Sequence, residues 1–484
     1  MLDQGDQGLD RGRDAVSDGL QTGAEDRANR GDGPDWWDEP VGKEALRLVA
    51  EVRESEVVQR MWAGVDEVVR RNQMRVLAAF QKAGVAQYEL SGTTGYGYDD
   101  AAREAVEKIY SYYFQTEAAL VRPQIVSGTH ALACALFGVL RPGDELLALG
   151  RPYDTMAAVI GIAPDASGRE APGNLRELGV SYREVPIAVQ DELDTSLVMD
   201  TAVERMAREV ADAVGTRTRA LLLQRSRGYA ARPSLPIAAI GAIIAAVRKV
   251  RPDVVIIVDN CYGEFVETRE PSVVGADLVA GSLIKNPGGG IAPAGGYLVG
   301  RQDLVDRAAA RLTAPGVGAE VGPYFDFARP ILQGFFLAPH AVGEAVRGAI
   351  LAAAFFTRLG WEVCPTADAL RTDIIQAIRF PTAEVLIRAA QAVQAASPID
   401  SHVRPEPAPM PGYKDMVIMA AGTFVQGASL ELTADAPIRP PFTLYWQGGL
   451  TREHVEVALA LIYRSLGDQL AQLTSAAGRT KSSL

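Results

Sequence analysis

The sequence contains few lysines, histidines and cysteines. Only seven of its 48 basic residues are lysines, and its 484 residues include only four histidines and three cysteines. Because the cysteines are odd in number and widely spaced, they predict neither a disulfide framework nor a cysteine metal site. The shortage of histidine argues against a histidine-rich metal centre. We therefore expect a reduced cytoplasmic protein without a bound metal.

Long apolar runs, an apolar N-terminal signal region and an excess of positive charge are also missing. The longest apolar runs, such as "LPIAAIGAIIAAV", fall short of the ~18 residues that a membrane span requires. The net charge of −12 argues against a nucleic-acid partner, which would favour a basic face. We therefore expect neither a membrane nor a nucleic acid as a partner.

Composition and hydrophobic periodicity divide the chain into five parts. Residues 1–40 are rich in Asp, Gly, Arg and Gln and predict a disordered acidic tail. Residues 41–117 show helical periodicity as far as a predicted C-cap at Gly84 and continue into the Tyr/Gly loop "SGTTGYGYDD". The remaining parts are a large domain (118–315), a smaller α+β domain (316–475) and a second tail (476–484).

Short strand-like runs alternate with helical runs through the large domain. Examples are "ALVRPQIV" followed by "HALACALFGVL", and "RALLLQ" followed by "AAIGAIIAAVRKV". Such alternation favours an α/β fold with a mostly parallel central sheet that helices cover on both faces.

A predicted strand runs into Ser127, Gly128 and Thr129, which begin a predicted helix. The N-terminus of a helix presents backbone N–H groups and the positive end of the helix dipole, and both favour an anion. The stretch has neither the Gly-Lys-Ser/Thr of a Walker loop nor the spacing of a dinucleotide fingerprint. It indicates either a phosphate site or an ordinary Ser/Thr helix cap.

Three further residues follow predicted strands. Asp259 ends the apolar run of "DVVIIVDN", at the sheet edge where open α/β folds bind ligands. Lys285 lies in "GSLIKNPGGG", where we expect the glycines to let the backbone approach a ligand closely. Tyr153 separates a strand from a helix in "LALGRPYDTM". The alternative for Asp259 is a strand-end ion pair or a cap for the next segment. For Lys285 it is a solvated loop lysine, and for Tyr153 an aromatic residue of the core or of an interface.

Together these features fit pyridoxal 5′-phosphate (PLP). This cofactor needs an amine for its aldehyde, an anion beside its ring nitrogen, a phosphate cup and a flat surface against its ring. The sequence therefore predicts that Lys285 binds PLP as a Schiff base. A nucleotide-binding α/β module would have to use "GGGIAPAGG" as its phosphate loop, and that stretch lacks the required spacing.

The chain resembles the fold-type I PLP enzymes of the cystathionine/methionine γ-lyase superfamily. Within it, the chain is similar to the bacterial group of aluminium-resistance or methionine-γ-lyase-like proteins, over about residues 45–470. The stretches that carry the resemblance are "GTTGYGYDD", "VSGTHAL", "RPYDTM", "QRSRGYAARPSL", "VDNCYGEFVE", "GSLIKNPGGG" and "LTADAPIRPPFTLYWQGGLTREH". It implies the fold-type I PLP-dependent transferase fold, with a large and a smaller domain.

The resemblance also implies roles for individual residues. Lys285 would bind the aldehyde and later move the substrate's α-proton, and Asp259 would pair with the ring nitrogen. Tyr153 would stack on the ring and is a candidate acid for the leaving thiol. The residues implied to hold the phosphate group are Gly128, Thr129 and Ser282.

A tyrosine of the glycine-rich loop, Tyr96 or Tyr98, resembles the superfamily tyrosine that reaches the phosphate of a neighbouring subunit. The resemblance therefore implies a homodimer or homotetramer with shared active sites.

The chain departs from the superfamily pattern at two places. Ile284 stands where a Thr usually precedes the lysine, and "FTLYWQGG" lacks the usual carboxylate-binding arginine. Arg439 in "APIRPP" is the substitute candidate because a guanidinium suits a carboxylate, with a surface or structural role as its alternative. Arg225 and Arg227 in "QRSRGY" are candidates for contact with the cofactor's phenolate or the substrate.

The leading hypothesis is a PLP-dependent carbon–sulfur lyase that performs β- or γ-elimination on a sulfur amino acid of methionine or cystathionine type. Fold and cofactor do not fix the reaction. Another PLP-dependent reaction, such as transamination or decarboxylation, is therefore an alternative. A PLP-binding stress or regulatory protein with little catalysis is a second alternative.

Overall fold

The computed structural model describes residues 35–164, 168–187, 200–230, 232–410 and 415–467. Most of the predicted N-terminal tail, and all of the predicted C-terminal tail, lie outside these ranges. Within the described residues, no helix is both long enough and apolar enough to cross a membrane.

Two helices, α1 (Pro40–Arg53) and α2 (Glu56–Ala83), form the N-terminal helical segment. The two helices are separate because Ser55 adopts an extended backbone, and its hydroxyl donates a hydrogen bond to the Val52 carbonyl at 2.6 Å. At the other end of α2, Gly84 adopts the left-handed conformation with φ 68°. The predicted glycine C-cap is therefore confirmed.

A seven-stranded sheet forms the centre of the large domain. Its strands are β1 (Ala118–Arg122), β2 (Glu145–Leu149), β3 (Ser181–Val185), β4 (Thr218–Gln224), β5 (Val255–Asp259), β6 (Leu278–Ser282) and β7 (Gly296–Gly300). Their order across the sheet is β1-β7-β6-β5-β4-β2-β3. Strand β7 runs antiparallel to β1 and β6, whereas the other neighbours pair in parallel. The predicted mostly parallel α/β sheet is confirmed.

Helices cover both faces of this sheet. They are α3 (Ala101–Phe114), α4 (Gly128–Val139), α5 (Asp154–Ile160), α6 (Asp200–Ala213), α7 (Ile237–Val250) and α8 (Gln302–Leu312). Alternate side chains of β5 enter two separate hydrophobic clusters: Ile256 and Val258 enter one, and Val255 and Ile257 the other. A strand that is apolar on both faces is what a sheet between two helical layers requires.

A second, antiparallel sheet lies in the C-terminal part. The elements there are α9 (Ala328–Arg358), β8 (Val363–Cys364), β9 (Ile375–Arg379), α10 (Ala383–Ala396), β10 (Val417–Ala420), β11 (Thr433–Pro437), β12 (Thr443–Gln447) and α11 (Arg452–Leu466). The strand order in this sheet is β10-β11-β12-β9-β8. Trp446 of β12 joins the main core, while Tyr445, on the opposite face, packs against Tyr229 of the large domain. One face of the small sheet therefore borders the large domain.

Candidate active site

Three parallel strands bring their carboxyl ends together at the edge of the large sheet. Gln224 at the end of β4 pairs in register with Asp259 at the end of β5, and Asp259 pairs with Ala280 of β6. Lys285 follows the end of β6 and leads into a short turn of 3₁₀-helix. The sequence-predicted aspartate and lysine therefore lie at the edge where ligands of such sheets bind.

The glycines after Lys285 make a close approach to protein backbone. A Cβ on Gly288 would lie 2.0 Å from the Leu283 carbonyl oxygen, and one on Gly289 would lie 2.3 Å from the Gly334 carbonyl oxygen. The contact of Gly288 lies within the turn itself, and the contact of Gly289 packs the turn against α9. The expected reason for these glycines, room for a ligand, was therefore wrong for these two positions: they fix the turn that carries the lysine.

Acidic and aromatic groups surround the Lys285 amine. Its Nζ lies 4.0 Å from the centre of the Tyr262 ring. Burial disfavours the ammonium form, but Cys261, Tyr262 and Asp259 together outweigh this cost and raise the pKa of Lys285 above its ordinary value. The amine thus lies in a pocket that favours a positive charge.

Asp259 lies beside this amine and is itself buried. One of its carboxylate oxygens, Oδ1, accepts a hydrogen bond from the backbone N–H of Cys261 at 3.1 Å. Burial raises the pKa of Asp259, and the charge of Lys285 opposes that rise. The carboxylate is therefore held in a fixed position in which a nearby positive charge stabilises its ionised form.

The N-terminus of α4 lies next to the end of β6. Ser127 caps the helix, with its hydroxyl oxygen accepting from the His130 N–H at 3.0 Å. A Cβ on Gly128 would lie 3.0 Å from the Cys261 sulfur and 3.5 Å from the Ser282 Cβ. The predicted phosphate residues Gly128 and Ser282 are thus neighbours in space, and a side chain at Gly128 would crowd them.

Tyr153 and Thr129 meet across the same site. Their hydroxyl oxygens lie 3.0 Å apart, and the Tyr153 backbone N–H donates to Gln224 Oε1 at 3.2 Å. Burial, followed by the charge of Asp259, raises the pKa of Tyr153 well above its ordinary value. Tyr153 therefore keeps its phenolic proton at neutral pH.

These residues fit PLP in the chemistry of their groups. The first N–H groups of a helix have no hydrogen-bond partner inside the helix. In α4 the Ser127 side chain accepts a hydrogen bond from the backbone N–H of His130. The N–H groups of Gly128 and Thr129, with the hydroxyls of Thr129 and Ser282, can hold a phosphate. Lys285 supplies the amine, and Asp259 supplies the anion.

A cleft of about 890 Å³ opens beside Tyr153, between the large domain and the small sheet. Its lining includes Arg151, Tyr153, Gln224, Arg227, Tyr229 and Arg439. Arg439 is half exposed and pairs with Asp415 at 3.0 Å. Arg227 is buried at the inner side, where one guanidinium nitrogen donates to the Cys364 sulfur at 3.1 Å. The structure therefore brings the substrate candidates Arg439 and Arg227 to one cleft.

Arg225 lies elsewhere. Its side chain is fully buried and donates to Glu267 at 2.8 Å and to Asn260 at 2.8 Å, and Glu270 lies 3.5 Å away. The nearby carboxylates raise the pKa of Arg225 in spite of the cost of burial. The expected contact of Arg225 with the cofactor or substrate has no support in this geometry, because buried carboxylates already use its charge.

The loop tyrosines Tyr96 and Tyr98 project to the surface. They are 73% and 62% exposed, and their ring centres lie 5.6 Å apart. Within the described part of this chain they do not reach Lys285. Their geometry leaves both rings available to a second subunit.

Sequence reasoning missed three residues of the site. Gln224 carried a signal, since it ends a strand as Asp259 does. Tyr262 lies in the stretch "VDNCYGEFVE", but the contact of its ring with Lys285 depends on a left-handed backbone with φ 71°, which is rare for a tyrosine. Tyr229 lines the cleft and donates to Asp435, which is 206 residues away in sequence, so no local pattern could show the pair.

The chain aligns over most of its length with relatives of known sequence or structure. The uncharacterised protein YnbB of Bacillus subtilis is 48% identical over 403 residues, which are 83% of this chain and 92% of YnbB. A carbon–sulfur lyase involved in aluminium resistance from Clostridium novyi is 42% identical with a TM-score of 0.79, covering 87% of this chain and 96% of that one.

Two further structures are similar. A Listeria monocytogenes protein, provisionally named a cystathionine beta-lyase involved in aluminium resistance, is 46% identical with a TM-score of 0.80 and covers 87% of this chain and 99% of its own. The PLP-dependent protein YhfS of Escherichia coli shares the fold, at 17% identity and a TM-score of 0.52, over 83% of this chain and 96% of its own. The family model for methionine gamma-lyase matches residues 47–466, and the chain belongs to that family.

Proposed function

We propose that this protein is a PLP-dependent carbon–sulfur lyase that acts on a sulfur amino acid of methionine or cystathionine type by β- or γ-elimination. The observation that carries the proposal is the meeting of three groups at one sheet edge: the Lys285 amine, the Asp259 carboxylate and the N-terminus of α4. Membership of the methionine gamma-lyase family supports the same reaction class.

When bound, PLP supplies an aldehyde for the substrate's amine and an electron sink for the bond that breaks. The Lys285 amine would hold the cofactor's aldehyde before the substrate binds. Lys285 Nζ then accepts the proton from the substrate's Cα. The rigid turn after Lys285 keeps the amine within reach of this proton, because Gly288 and Gly289 pack against backbone.

Asp259 and Tyr153 hold protons at two other atoms. The Asp259 carboxylate would keep the cofactor's ring nitrogen protonated, and the hydrogen bond from the Cys261 backbone N–H fixes the carboxylate in place. Tyr153 keeps its own proton at neutral pH, because burial raises the pKa of its phenol. Because Tyr153 lines the cleft, its hydroxyl is the candidate acid for the leaving sulfur.

The cleft selects the substrate by charge. Arg439 lies at its outer side, where the pairing with Asp415 leaves the guanidinium half exposed. Arg227 provides a second positive charge at its inner side. We assign the substrate's carboxylate to Arg439, since an exposed guanidinium can form a bidentate pair with an incoming carboxylate.

The proposed assembly is a homodimer or homotetramer in the cytoplasm. The exposed Tyr96 and Tyr98 would reach the phosphate group in a neighbouring subunit's site, in accord with the superfamily pattern. An oligomer would then be required for full cofactor affinity.

The test is a product balance with the PLP-loaded protein. L-Methionine and L-cystathionine are supplied separately, and thiol, keto acid, ammonia and carbon dioxide are measured, with Lys285→Arg as the control. Elimination releases thiol, keto acid and ammonia in equal amounts. A keto acid without thiol would indicate transamination, carbon dioxide would indicate decarboxylation, and bound cofactor without any product would contradict the proposal.

A further inference from the structure

The turn after β5 has a tyrosine at a position that favours glycine. The Gly263 N–H donates to the Asn260 carbonyl at 2.9 Å, so Cys261 and Tyr262 are the two central residues of a β-turn. Tyr262 has φ 71°, whereas Cys261 does not have a positive φ. A positive φ at the second central position alone is typical of a type II turn, in which glycine or asparagine is preferred there. The backbone of Tyr262 is therefore strained.

A second strained aromatic residue, Phe265, lies three positions later and has a different explanation. Its φ is 65°, and its buried ring lies 4.9 Å from that of Tyr113 and 5.4 Å from that of Phe335. Packing in the core therefore accounts for Phe265. Tyr262 is only half-buried, at the edge of the core, so its strain requires another contact.

That contact is with Lys285. Nζ of Lys285 lies 4.0 Å from the centre of the Tyr262 ring, within the range at which an aromatic face attracts an ammonium group. The close packing of Gly288 and Gly289 fixes the turn that follows the lysine. Two fixed turns thus bring the ring and the amine together.

The titratable groups near this amine come from the end of β5, the strained turn and the start of α5. Burial lowers the pKa of Lys285, and the neighbouring groups more than reverse this effect: Cys261, Tyr262, Asp259 and Tyr153. In the proposed function Asp259 serves the cofactor's ring nitrogen, and Tyr153 serves the leaving sulfur. Tyr262 is the aromatic group that stays with the amine.

The proposed function gives the amine a step at which this contact matters. Lys285 Nζ accepts the proton of the substrate's Cα, so that the C–H bond breaks, the amine becomes an ammonium and the electron pair is left to the cofactor's electron sink. An aromatic face beside Nζ favours the ammonium over the neutral amine. Such a contact makes Lys285 a stronger base and keeps it in one position.

We propose that Tyr262 is a catalytic residue whose ring face holds the Lys285 ammonium after the amine has taken the Cα proton. The strained turn presents the ring to the amine. The inference rests on the proposed function and deepens it, since it assigns the group that stabilises the proton-carrying form of Lys285.

The first test detects the ring contact without any reaction. The lysines of the full-length protein are reductively methylated with ¹³C-formaldehyde before PLP is supplied, and Lys285→Arg identifies the Lys285 signal by NMR. A nearby ring face displaces a methyl resonance, so the Lys285 signal is expected to lie apart from those of lysines without such a contact. A pH titration of the same signal gives the pKa of the methylated amine.

The variants at Tyr262 separate the ring from the backbone. Tyr262→Asn removes the ring, and asparagine adopts the left-handed backbone readily, so the variant is expected to fold. It is expected to abolish the displacement and to lower the pKa of the Lys285 amine by roughly half a pH unit or more. Tyr262→Phe keeps the ring and is expected to keep the displaced signal.

A second lysine–tyrosine pair provides the matched control. Lys82 of α2 has its Nζ 4.1 Å from the centre of the Tyr112 ring on α3. Tyr112→Leu is expected to move the Lys82 signal and to leave the Lys285 signal in place. Tyr262→Asn is expected to do the reverse.

The second test measures the proton step alone. L-Alanine has no leaving group, so the PLP-loaded protein in deuterium oxide can exchange its Cα proton without elimination, and NMR follows the exchange from neutral to alkaline pH. In Tyr262→Asn the rising limb of this profile is expected to move to lower pH, because the base has a lower pKa. The maximal rate is expected to fall by about tenfold, since the amine loses base strength and its fixed position.

A Lys285 signal that Tyr262→Asn leaves in place would overturn the inference, and so would loss of the displacement in Tyr262→Phe. Thiol release from a sulfur amino acid, together with equal exchange profiles for the wild type and Tyr262→Asn, would overturn this inference alone. Exchange of L-alanine that Tyr262→Asn slows, without thiol from any sulfur amino acid, would support the role of Tyr262 and contradict the lyase proposal.

Discussion

Glu264 predicts how the stability of the protein depends on pH, because it is a fully buried acid next to the turn that follows Lys285. Tyr297 donates to its Oε1 at 2.8 Å, and Asn286, the neighbour of Lys285, donates to its backbone carbonyl at 3.0 Å. Its Oε2 has no hydrogen-bond partner among the described residues. Burial raises the pKa of Glu264 to about 8 from an ordinary value of 4.5.

This pKa determines the sign of the pH dependence. Between pH 4.5 and pH 8 the folded protein holds a proton on Glu264 that the unfolded chain releases. The contribution of Glu264 to stability is therefore fully present below pH 4.5 and is lost as the pH rises through about 8. Each pH unit in that window lowers the free energy of unfolding by about 1.4 kcal/mol. The free energy of unfolding has fallen by about 3 kcal/mol at pH 7 and by about 5 kcal/mol at pH 8.

Glu264→Gln removes this dependence, because glutamine has nearly the same shape and does not titrate. For a chain of this length, about 1 kcal/mol shifts the melting temperature by about 1 °C. We expect the melting temperature of the variant, relative to that of the wild type, to rise by about 3 °C from pH 5.5 to pH 8. Scanning fluorimetry across this range measures the difference.

Glu104→Gln is the control for this comparison, since Glu104 is exposed on α3. Its melting curve is expected to follow that of the wild type at every pH. Parallel wild-type and Glu264→Gln curves from pH 5.5 to pH 8 would refute the reasoning, because they would show that Glu264 does not hold its proton in the folded protein.

Three further substitutions test the site. Asp259→Asn keeps the volume but removes the anion, so kcat is expected to fall on the order of a hundredfold while PLP stays bound, and an unchanged kcat would contradict the role of Asp259. Gly128→Ala places a Cβ 3.0 Å from the Cys261 sulfur and is expected to weaken PLP affinity about tenfold in an absorbance titration, whereas unaltered affinity would place the phosphate elsewhere. Arg439→Ala is expected to raise KM for the substrate with kcat within about twofold, and an unchanged KM would reassign the carboxylate to another residue.

The sequence was sufficient to predict the main groups of the site where local rules apply. Asp259 ends an apolar strand run, and Lys285 follows the next one, so parallel pairing places both at the same sheet edge. The helix signal after Ser127 is equally local, because a cap needs only the serine and the N–H three residues later.

Residues whose roles depend on distant partners could not be predicted. Arg225 and Arg227 stand two positions apart in one motif, yet Arg225 pairs with buried carboxylates and Arg227 borders the cleft. The difference follows from Glu267 and Glu270, about 40 residues away in sequence, whose carboxylates pair with Arg225. Tyr229 and Asp435 likewise meet only when the two domains pack together.

The central claim is that Lys285 carries the cofactor, and borohydride reduction of the PLP-supplied protein followed by peptide mass mapping tests it most directly. Reduction fixes any cofactor–lysine bond, and Lys249 at the end of α7 serves as an internal control lysine. We expect a pyridoxyl adduct on Lys285 and none on Lys249. An unlabelled Lys285 would contradict its assignment as the cofactor lysine, whichever other lysine carried the label.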